Sequence, residues 1–267
     1  MIRLVGIDVD GTLLGASGEV KPHVWEAVEV ARANGIRLTL CSGRPAFGVT
    51  LEYARRLDAE GWHAFQNGAS ILHLTTGESR SASLPPEWVK SLIAEARARG
   101  NVLELYNDTE WVTESTAAWA QDHARLLGVE LEPRPFESLE GPIVRAQWLL
   151  SSAQAKQIMS APYPGLEMAQ STSPLMPDTQ FVGMTHEGVN KASALRTIAG
   201  QYGIALQDVM YIGDSGNDLS ALRVVGHPVA MGNADPAVIE AAERTVGHAD
   251  EGGVAQALRW AIATVPS

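Results

Sequence analysis

Cys41 is the single cysteine in this chain of 267 residues, so an internal disulfide framework and a cysteine-rich zinc site are both excluded. Long apolar runs are missing as well. Ile36 to Cys41 and Val209 to Ile212 are strand-sized, far short of the roughly 20 residues that a membrane-spanning helix requires. No charged leader with an apolar stretch precedes the first strand, and with the lone cysteine this makes the cytoplasm the expected location. Basic residues are in deficit: 20 Lys and Arg face 31 Asp and Glu, a net charge of −11. Such a surface repels a polyanion, and no basic run compensates it, so nucleic acid is not an expected partner. The Gly-x-x-x-x-Gly-Lys-Ser/Thr phosphate loop is absent. Hydrophobic residues make up 45% and charged residues 19%, an ordinary globular balance. The length suits one large α/β domain or a core that carries a second, smaller domain.

Leu4-Val5-Gly6-Ile7 is a short apolar run that closes on Asp8 and then Gly11, the pattern of a buried strand feeding a loop. Pro22 stands where a first helical residue would, Val24, Ala27, Val28 and Ala31 follow helical spacing, and Gly35 supplies a stop. The run Ile36 to Cys41 then predicts a second strand ending at Ser42-Gly43-Arg44-Pro45. This is a βαβ unit, which implies a parallel sheet with ligands beyond the carboxyl ends of its strands. The grammar returns late in the chain, where Leu195, Ile198, Ala199 and Tyr202 form a helical stripe stopped by Gly203. The strand Val209 to Ile212 follows and leads to Asp214, then a short strand Pro228 to Met231 and a helix from about Pro236 to Glu243.

Between Leu84-Pro85-Pro86 and His186-Glu187-Gly188 the pattern changes. It predicts helices at Glu87 to Arg99, Thr116 to Leu127 and Ala153 to Met159. Strands are expected at Val102 to Tyr106, Glu110 to Thr113, Val144 to Leu150, Leu166 to Ser171 and Gln180 to Thr185, with the main loop running from Pro133 to Pro142. The expected fold class is therefore α/β, a parallel-sheet core of residues 1–83 and 187–267 with an inserted α+β domain at 84–186.

The two carboxylates of Asp8-Val9-Asp10-Gly11-Thr12 lie two residues apart at a strand end, so both can face one pocket while Gly11 permits the turn away. One can attack phosphorus while the other donates a proton to the leaving oxygen and later takes one from water. Taken alone, the motif also fits a plain turn. Asp214-Ser215-Gly216-Asn217-Asp218 places two further carboxylates after another strand. Four carboxylates at neighbouring strand ends repel one another unless a cation intervenes, and a hard, oxygen-seeking ion such as Mg²⁺ fits. Ser42-Gly43-Arg44 offers a hydroxyl and backbone N–H groups to a phosphate. Lys191 can hold the charge that builds on a transferring phosphoryl group, or be a solvated surface lysine.

The order of these motifs, an Asp8/Asp10 loop, a Ser42 turn, Lys191 and an Asp214–Asp218 loop, resembles the four motifs of the haloacid dehalogenase superfamily. The segment inserted between the second and third is similar to the large α/β cap of its Cof-like sugar-phosphatase branch. The resemblance implies a Rossmann-like core with a mobile cap, and a magnesium-dependent phosphatase of small phosphorylated metabolites, sugar phosphates foremost. It implies Asp8 as nucleophile, Asp10 as general acid and base, and Ser42 and Lys191 as phosphate ligands. Asp8, the backbone carbonyl of Asp10 and Asp214 would bind Mg²⁺, with Asp218 supporting the metal's water shell or Lys191. Asn217 would contact substrate or phosphate. Gln66-Asn67-Gly68-Ala69 also resembles this branch, with Asn67 lining the substrate entrance, although an Asn-Gly turn is the alternative. Ser42 departs from the family's usual threonine, and Thr185-His186-Glu187 from its more apolar or proline-containing run.

Ring stacking is an alternative for the seven tryptophans, Trp111 and Trp148 in the insertion above all, but most are expected in the core. Arg145 and Gln147 alternate on one strand face, where solvent exposure is weighed against contact with a sugar hydroxyl or carboxylate. A receiver-type signalling domain is a poor match, because the proposed nucleophile closes the first strand and a hundred-residue insertion is foreign to it. A phosphomutase on the same scaffold and a non-catalytic sugar-phosphate-binding regulator stay open. Release of inorganic phosphate separates them from a phosphatase.

Overall fold

The computed structural model describes residues 1–173 and 176–265. The chain opens with β1 (Leu4–Ile7), α1 (Pro22–Ala33), β2 (Arg37–Leu40), α2 (Gly48–Asp58) and a hairpin, β3 (Trp62–Phe65) and β4 (Ser70–His73). Next come α3 (Pro86–Arg99), β5 (Val102–Tyr106), β6 (Trp111–Val112), α4 (Ala118–Leu127), β7 (Arg145–Leu150), α5 (Ser152–Met159), β8 (Leu166–Ser173) and β9 (Met176–His186). It closes with α6 (Lys191–Gln201), β10 (Val209–Gly213), α7 (Leu219–Leu222), β11 (His227–Ala230), α8 (Pro236–Ala241), β12 (Arg244–Thr245) and α9 (Gly253–Ala263). Contacts divide these into two compact units, Met1–Arg44 with Thr50–Arg80 and Asn190–Ser267, and Pro45–Val49 with Ser81–Val189.

In the first unit, five parallel strands lie in the order β12-β11-β10-β1-β2. Every residue of β1 is buried, as a parallel strand covered on both faces requires, which is why it reads as a continuous apolar run rather than an alternation. Ile7 registers with Leu40 on one side and Ile212 on the other. The chain therefore leaves β1, β2 and β10 at one end of the sheet, and Asp8, Ser42 and Asp214 emerge there together. The α6 stripe of Ala194, Leu195, Ile198 and Ala199 packs with Leu4, Ala64 and Tyr211 in one buried cluster. Helix α1 buries Val24, Trp25, Ala27, Val28 and Ala31 and lies against α9. Neither α2 nor α9 is among the sequence expectations. The buried residues of α2 are Thr50, Ala54, Leu57 and Asp58, a face too polar to show helical hydrophobic periodicity.

The second unit is an antiparallel sheet of order β6-β5-β7-β9-β8. Leu92 and Ala96 of α3 and Ala155 and Ile158 of α5 join one buried cluster with Leu103, Leu105, Ala146, Trp148, Leu150, Val182 and Met184. Ala120 of α4 joins another with Val102, Leu149, Phe181 and Met176. Two expectations are corrected here. Strand β9 runs from Met176 to His186 rather than from Gln180, because it pairs with β8 as a long ribbon, and at Asp178 it faces solvent with no apolar signal. Gln147 is 3% exposed, not a solvent-facing residue. Glu104, wholly buried, accepts from Tyr106 Oη (2.7 Å), His123 Nδ1 (2.8 Å) and Gln147 Nε2 (3.1 Å). A buried carboxylate needs such donors. Arg145 in turn donates to Gln147 Oε1 and lies 5.5 Å from the centre of the Tyr106 ring.

His63 of β3 is also wholly buried. Leu40 N–H donates to its Nδ1 (3.0 Å), so the ring proton sits on Nε2 and is donated to the Asp58 carbonyl (2.8 Å). Burial pushes the imidazole down from 6.5 to about 4. The unfolded chain thus takes up this proton as the pH falls through 6.5, while the folded protein resists until about 4. Stability is present in full above the unfolded value and is lost on acidification, by about 3 kcal/mol from this residue. Denaturant unfolding near neutral and acid pH should show wild type losing that much more stability than His63→Gln. Parallel losses in the two proteins would refute the assignment.

Candidate active site

Asp8 continues β1 and is held by a bond from its N–H to the Ile212 carbonyl (3.1 Å). The loop then folds back on itself, with Leu13 N–H on Asp8 O, Leu14 N–H on Val9 O and Gly11 N–H on Leu14 O. Gly11 has φ +81°, and a Cβ there would meet the Asp214 carboxyl carbon at 2.6 Å. The position demands glycine twice, for its backbone and for the approach of the second acidic loop. Gly213, at the end of β10, has the same close relation to Asp218, with 2.5 Å to the carboxyl carbon from a built Cβ. Thr12 Oγ1 donates to Asp214 Oδ1 (3.1 Å).

Lys191 is the first residue of α6, capped by Asn190, whose Oδ1 accepts from Ser193 N–H. A lysine at a helix N-terminus opposes the macrodipole, and this one is 1% exposed, so it is not a solvated surface residue. Its Nζ donates to Asp8 Oδ1 and Asp218 Oδ1, each at 2.6 Å. Asp218 Oδ1 also accepts from Tyr211 Oη (2.6 Å), and its Oδ2 accepts from the N–H groups of Asp214 and Ser215 (3.0 Å each).

Two carboxylates therefore share one ammonium, with a third, Asp214, close to both. Burial opposes the Lys191 charge, yet Asp8 and Asp218 outweigh it and hold the ammonium above the usual lysine range. Burial drives Asp8 well above the ordinary carboxylate range against the pull of Lys191, with Asp218 and Asp214 adding to the rise. Burial and then Asp218 push Asp214 up to about 6. Cys41, alongside, is raised by burial to about 12 and is an inert thiol. One oxygen from each of Asp8, Asp214 and Asp218 lies within 4.8 Å of the others. With Asp218 committed through both oxygens, acceptor capacity is left on Asp8 and Asp214. An all-oxygen donor set with surplus negative charge fits a hard divalent cation.

The remaining sequence candidates gather at the same end of the sheet. Ser42 is wholly buried, and its Oγ accepts from Arg44 N–H (3.0 Å). Arg44 forks onto Asp10, Nε to Oδ2 at 2.9 Å and Nη2 to Oδ1 at 2.5 Å, so the exposed Asp10 carboxylate is paired with a guanidinium and is not one of the three clustered carboxylates. Gly43 lies against Asn67, 3.2 Å from its Oδ1 to a built Cβ. Asn67 forms the expected turn, within Gln66–Gly68, and also reaches the site: its Oδ1 accepts from Asn217 Nδ2 (3.0 Å). Gln66 and Asn67 have φ of 53° and 56°, consecutive left-handed conformations that side-chain-bearing residues seldom adopt. Their N–H groups bond the carbonyls of Arg44 and Ser42, which anchors this turn to the end of β2.

Tyr211 and Asn233 lie at the site without having been singled out by sequence. Tyr211 sits within an apolar strand, where its hydroxyl is the only hint that a buried phenol needs a partner. Asn233, in the turn after β11, donates from Nδ2 to the Gly11 carbonyl (2.7 Å).

A family model described as haloacid dehalogenase-like hydrolase matches residues 5–258. The chain belongs to that family. Among curated relatives, 5-amino-6-(5-phospho-D-ribitylamino)uracil phosphatase YwtE of Bacillus subtilis is 27% identical over 289 residues, covering 95% of this chain and 96% of the relative. A crystal structure of a haloacid dehalogenase-like hydrolase from Bacteroides thetaiotaomicron aligns with a TM-score of 0.85 at 28% identity, covering 97% of this chain and 99% of that one. The structure of a HAD subclass IIB sugar phosphatase aligns with a TM-score of 0.79 at 24% identity over 97% and 99% of the two chains, a likeness of fold. Parallel-sheet core and antiparallel insertion are thus both features of solved haloacid dehalogenase-like proteins. Among the described residues no helix is long and apolar enough to cross a membrane.

Proposed function

We propose that this chain is a Mg²⁺-dependent phosphomonoester hydrolase of small phosphorylated metabolites that works through an aspartyl-phosphate on Asp8. The observation that carries the reading is the buried Lys191 ammonium bonded at once to Asp8 and Asp218, with oxygens of Asp8, Asp214 and Asp218 converging beside it. Asp8 attacks phosphorus in line with the leaving oxygen, and Asp10 delivers a proton to the departing alkoxide. Water that has lost a proton to Asp10 then attacks the acyl phosphate, which frees inorganic phosphate and restores Asp8. The Arg44 fork orients the Asp10 side chain at the mouth of this site. Lys191 and Ser42 hold the phosphoryl oxygens, where charge accumulates. Arg44, Gly43, Asn67 and Asn217 border the phosphate's position. Asp8, the Asp10 carbonyl and Asp214 hold the cation, and Asp218 fixes Lys191. Bound there, a divalent cation neutralises the carboxylates and polarises a phosphoryl oxygen.

Residues 1–83 and 187–267 are assigned the chemistry and the insertion at 84–186 the choice of leaving group. A phosphorylated ribityl compound in the name of YwtE supports a sugar-like substrate, and the net charge of −11 argues against nucleic acid. The cytoplasm completes the proposal. The test is phosphate release from a panel of sugar phosphates, nucleotides and other phosphomonoesters, with Mg²⁺ and with chelator. Release that depends on Mg²⁺ is expected. Phosphoryl transfer to a second hydroxyl, or ligand binding without turnover, would replace the hydrolase with the mutase or the regulator.

A further inference from the structure

The turn Gly232–Asp235 touches both acidic loops. Asn233 Nδ2 donates to the Gly11 carbonyl (2.7 Å), two residues from Asp10's other neighbour Val9, and Asp235 N–H donates to the Asp214 carbonyl (2.9 Å). The other end of the same amide, Asn233 Oδ1, accepts from Ala249 N–H (2.9 Å). The turn is itself pinned, with Met231 N–H on Gly213 O (3.0 Å) and Gly232 N–H on Gly247 O (3.2 Å). Asn233 is an exposed side chain that spends both polar ends on backbone. Gly11 has φ +81°, a conformation that needs glycine, and the Gly11–Thr12 peptide carries both the carbonyl that Asn233 grips and the N–H of the residue whose hydroxyl reaches Asp214.

We infer that Asn233 is a positioning residue that sets the separation between the Asp8–Asp10 loop and Asp214. The inference rests on the hydrolase reading for its kinetic part and on the donor set alone for its cation part. The Asn233 amide bonds backbone at both ends, and it acts through the Gly11 carbonyl. A single exposed hydrogen bond contributes little to folding, whereas a displacement of about 1 Å among reacting groups can lower a rate about a hundredfold. Its signature is therefore a functional loss out of proportion to any loss of stability. The phosphate-holding residues Ser42 and Lys191 are untouched, so the loss falls on kcat and not on KM.

The experiment compares wild type with Asn233→Ala, the shape-matched Asn233→Leu, and Asp250→Ala. Asp250 serves as control because it accepts from Ala16 N–H (3.1 Å) and Ser17 N–H (3.0 Å), farther along the same loop. The first readout is the Mg²⁺ concentration at the midpoint of thermal stabilisation, without substrate. The second is kcat and KM for phosphate release. Both Asn233 variants should raise the midpoint about fivefold or more and lower kcat about tenfold or more, with KM within about twofold and little change in metal-free melting temperature. Asp250→Ala should stay within about twofold of wild type throughout. Midpoints for both Asn233 variants within about twofold of wild type would overturn the inference. So would an equal effect in Asp250→Ala, or a wild type that Mg²⁺ does not stabilise. If wild type releases no phosphate from any compound, the hydrolase reading fails, and the Mg²⁺ midpoint alone decides the role of Asn233.

Discussion

Asp8→Asn is expected to abolish phosphate release while leaving the protein folded. The amide keeps the size and planarity of the carboxylate but has no charged oxygen with which to attack phosphorus. Loss of a nucleophile on which a covalent step depends lowers turnover by about 10⁴-fold or more. Its effect on the fold should be small, because two changes offset each other. The substitution takes the charge out of one bond to Lys191, yet also removes one of three like charges, and Lys191 keeps Asp218 at 2.6 Å. The measurement is phosphate release from the best substrate alongside the melting temperature. Residual activity above about one per cent of wild type in a folded variant would remove Asp8 as nucleophile.

Lys191→Met should strike both activity and stability. Methionine fills much of the same volume, but Asp8 and Asp218, 4% and 0% exposed, then face each other and Asp214 without a counter-ion. Breaking a buried ion pair by removing one partner costs about 3–5 kcal/mol, and for a unit of this size that corresponds to a fall in melting temperature on the order of 10 °C. The pH dependence distinguishes this cause from loss of packing. Folded-state pKa values raised above the unfolded ones make stability full below the unfolded range and lost as the pH rises through the folded values. Without Lys191, which lowers both, Asp8 and Asp214 rise further, so the deficit should be large at neutral pH and shrink in acid. A deficit independent of pH would assign the loss to packing, and an unchanged melting temperature would contradict the buried triad.

Much of this site was legible one motif at a time. A buried parallel strand announces itself as an apolar run, and the residue that follows it in a parallel sheet has a defined place, beyond the carboxyl end. Asp8, Ser42 and Asp214 could thus be assigned to one end of the sheet from local pattern alone. The inserted antiparallel sheet was legible in the same manner, strand by strand, with β9 shortened where its outer half lacks an apolar face. Helix α2 escaped because its buried face includes Thr50 and Asp58.

What local pattern leaves open is the partner of a charged or polar side chain. Lys191 reads equally well as a surface residue, and its bond to Asp8 spans 183 positions. Gln147 alternates like an exposed residue, yet points at a carboxylate 43 positions away. The sequence by itself determined the strands that carry the acidic loops and which carboxylates follow them, and it led to the expectation of a cation among those charges, because period, turn chemistry and charge count are local or additive properties. Tertiary structure alone decided that Lys191 is buried between two aspartates, that Arg44 forks onto Asp10 and that Asn233 clasps the Gly11 carbonyl. Those depend on strand register and on packing that brings distant residues within hydrogen-bonding distance, which no window along the chain contains.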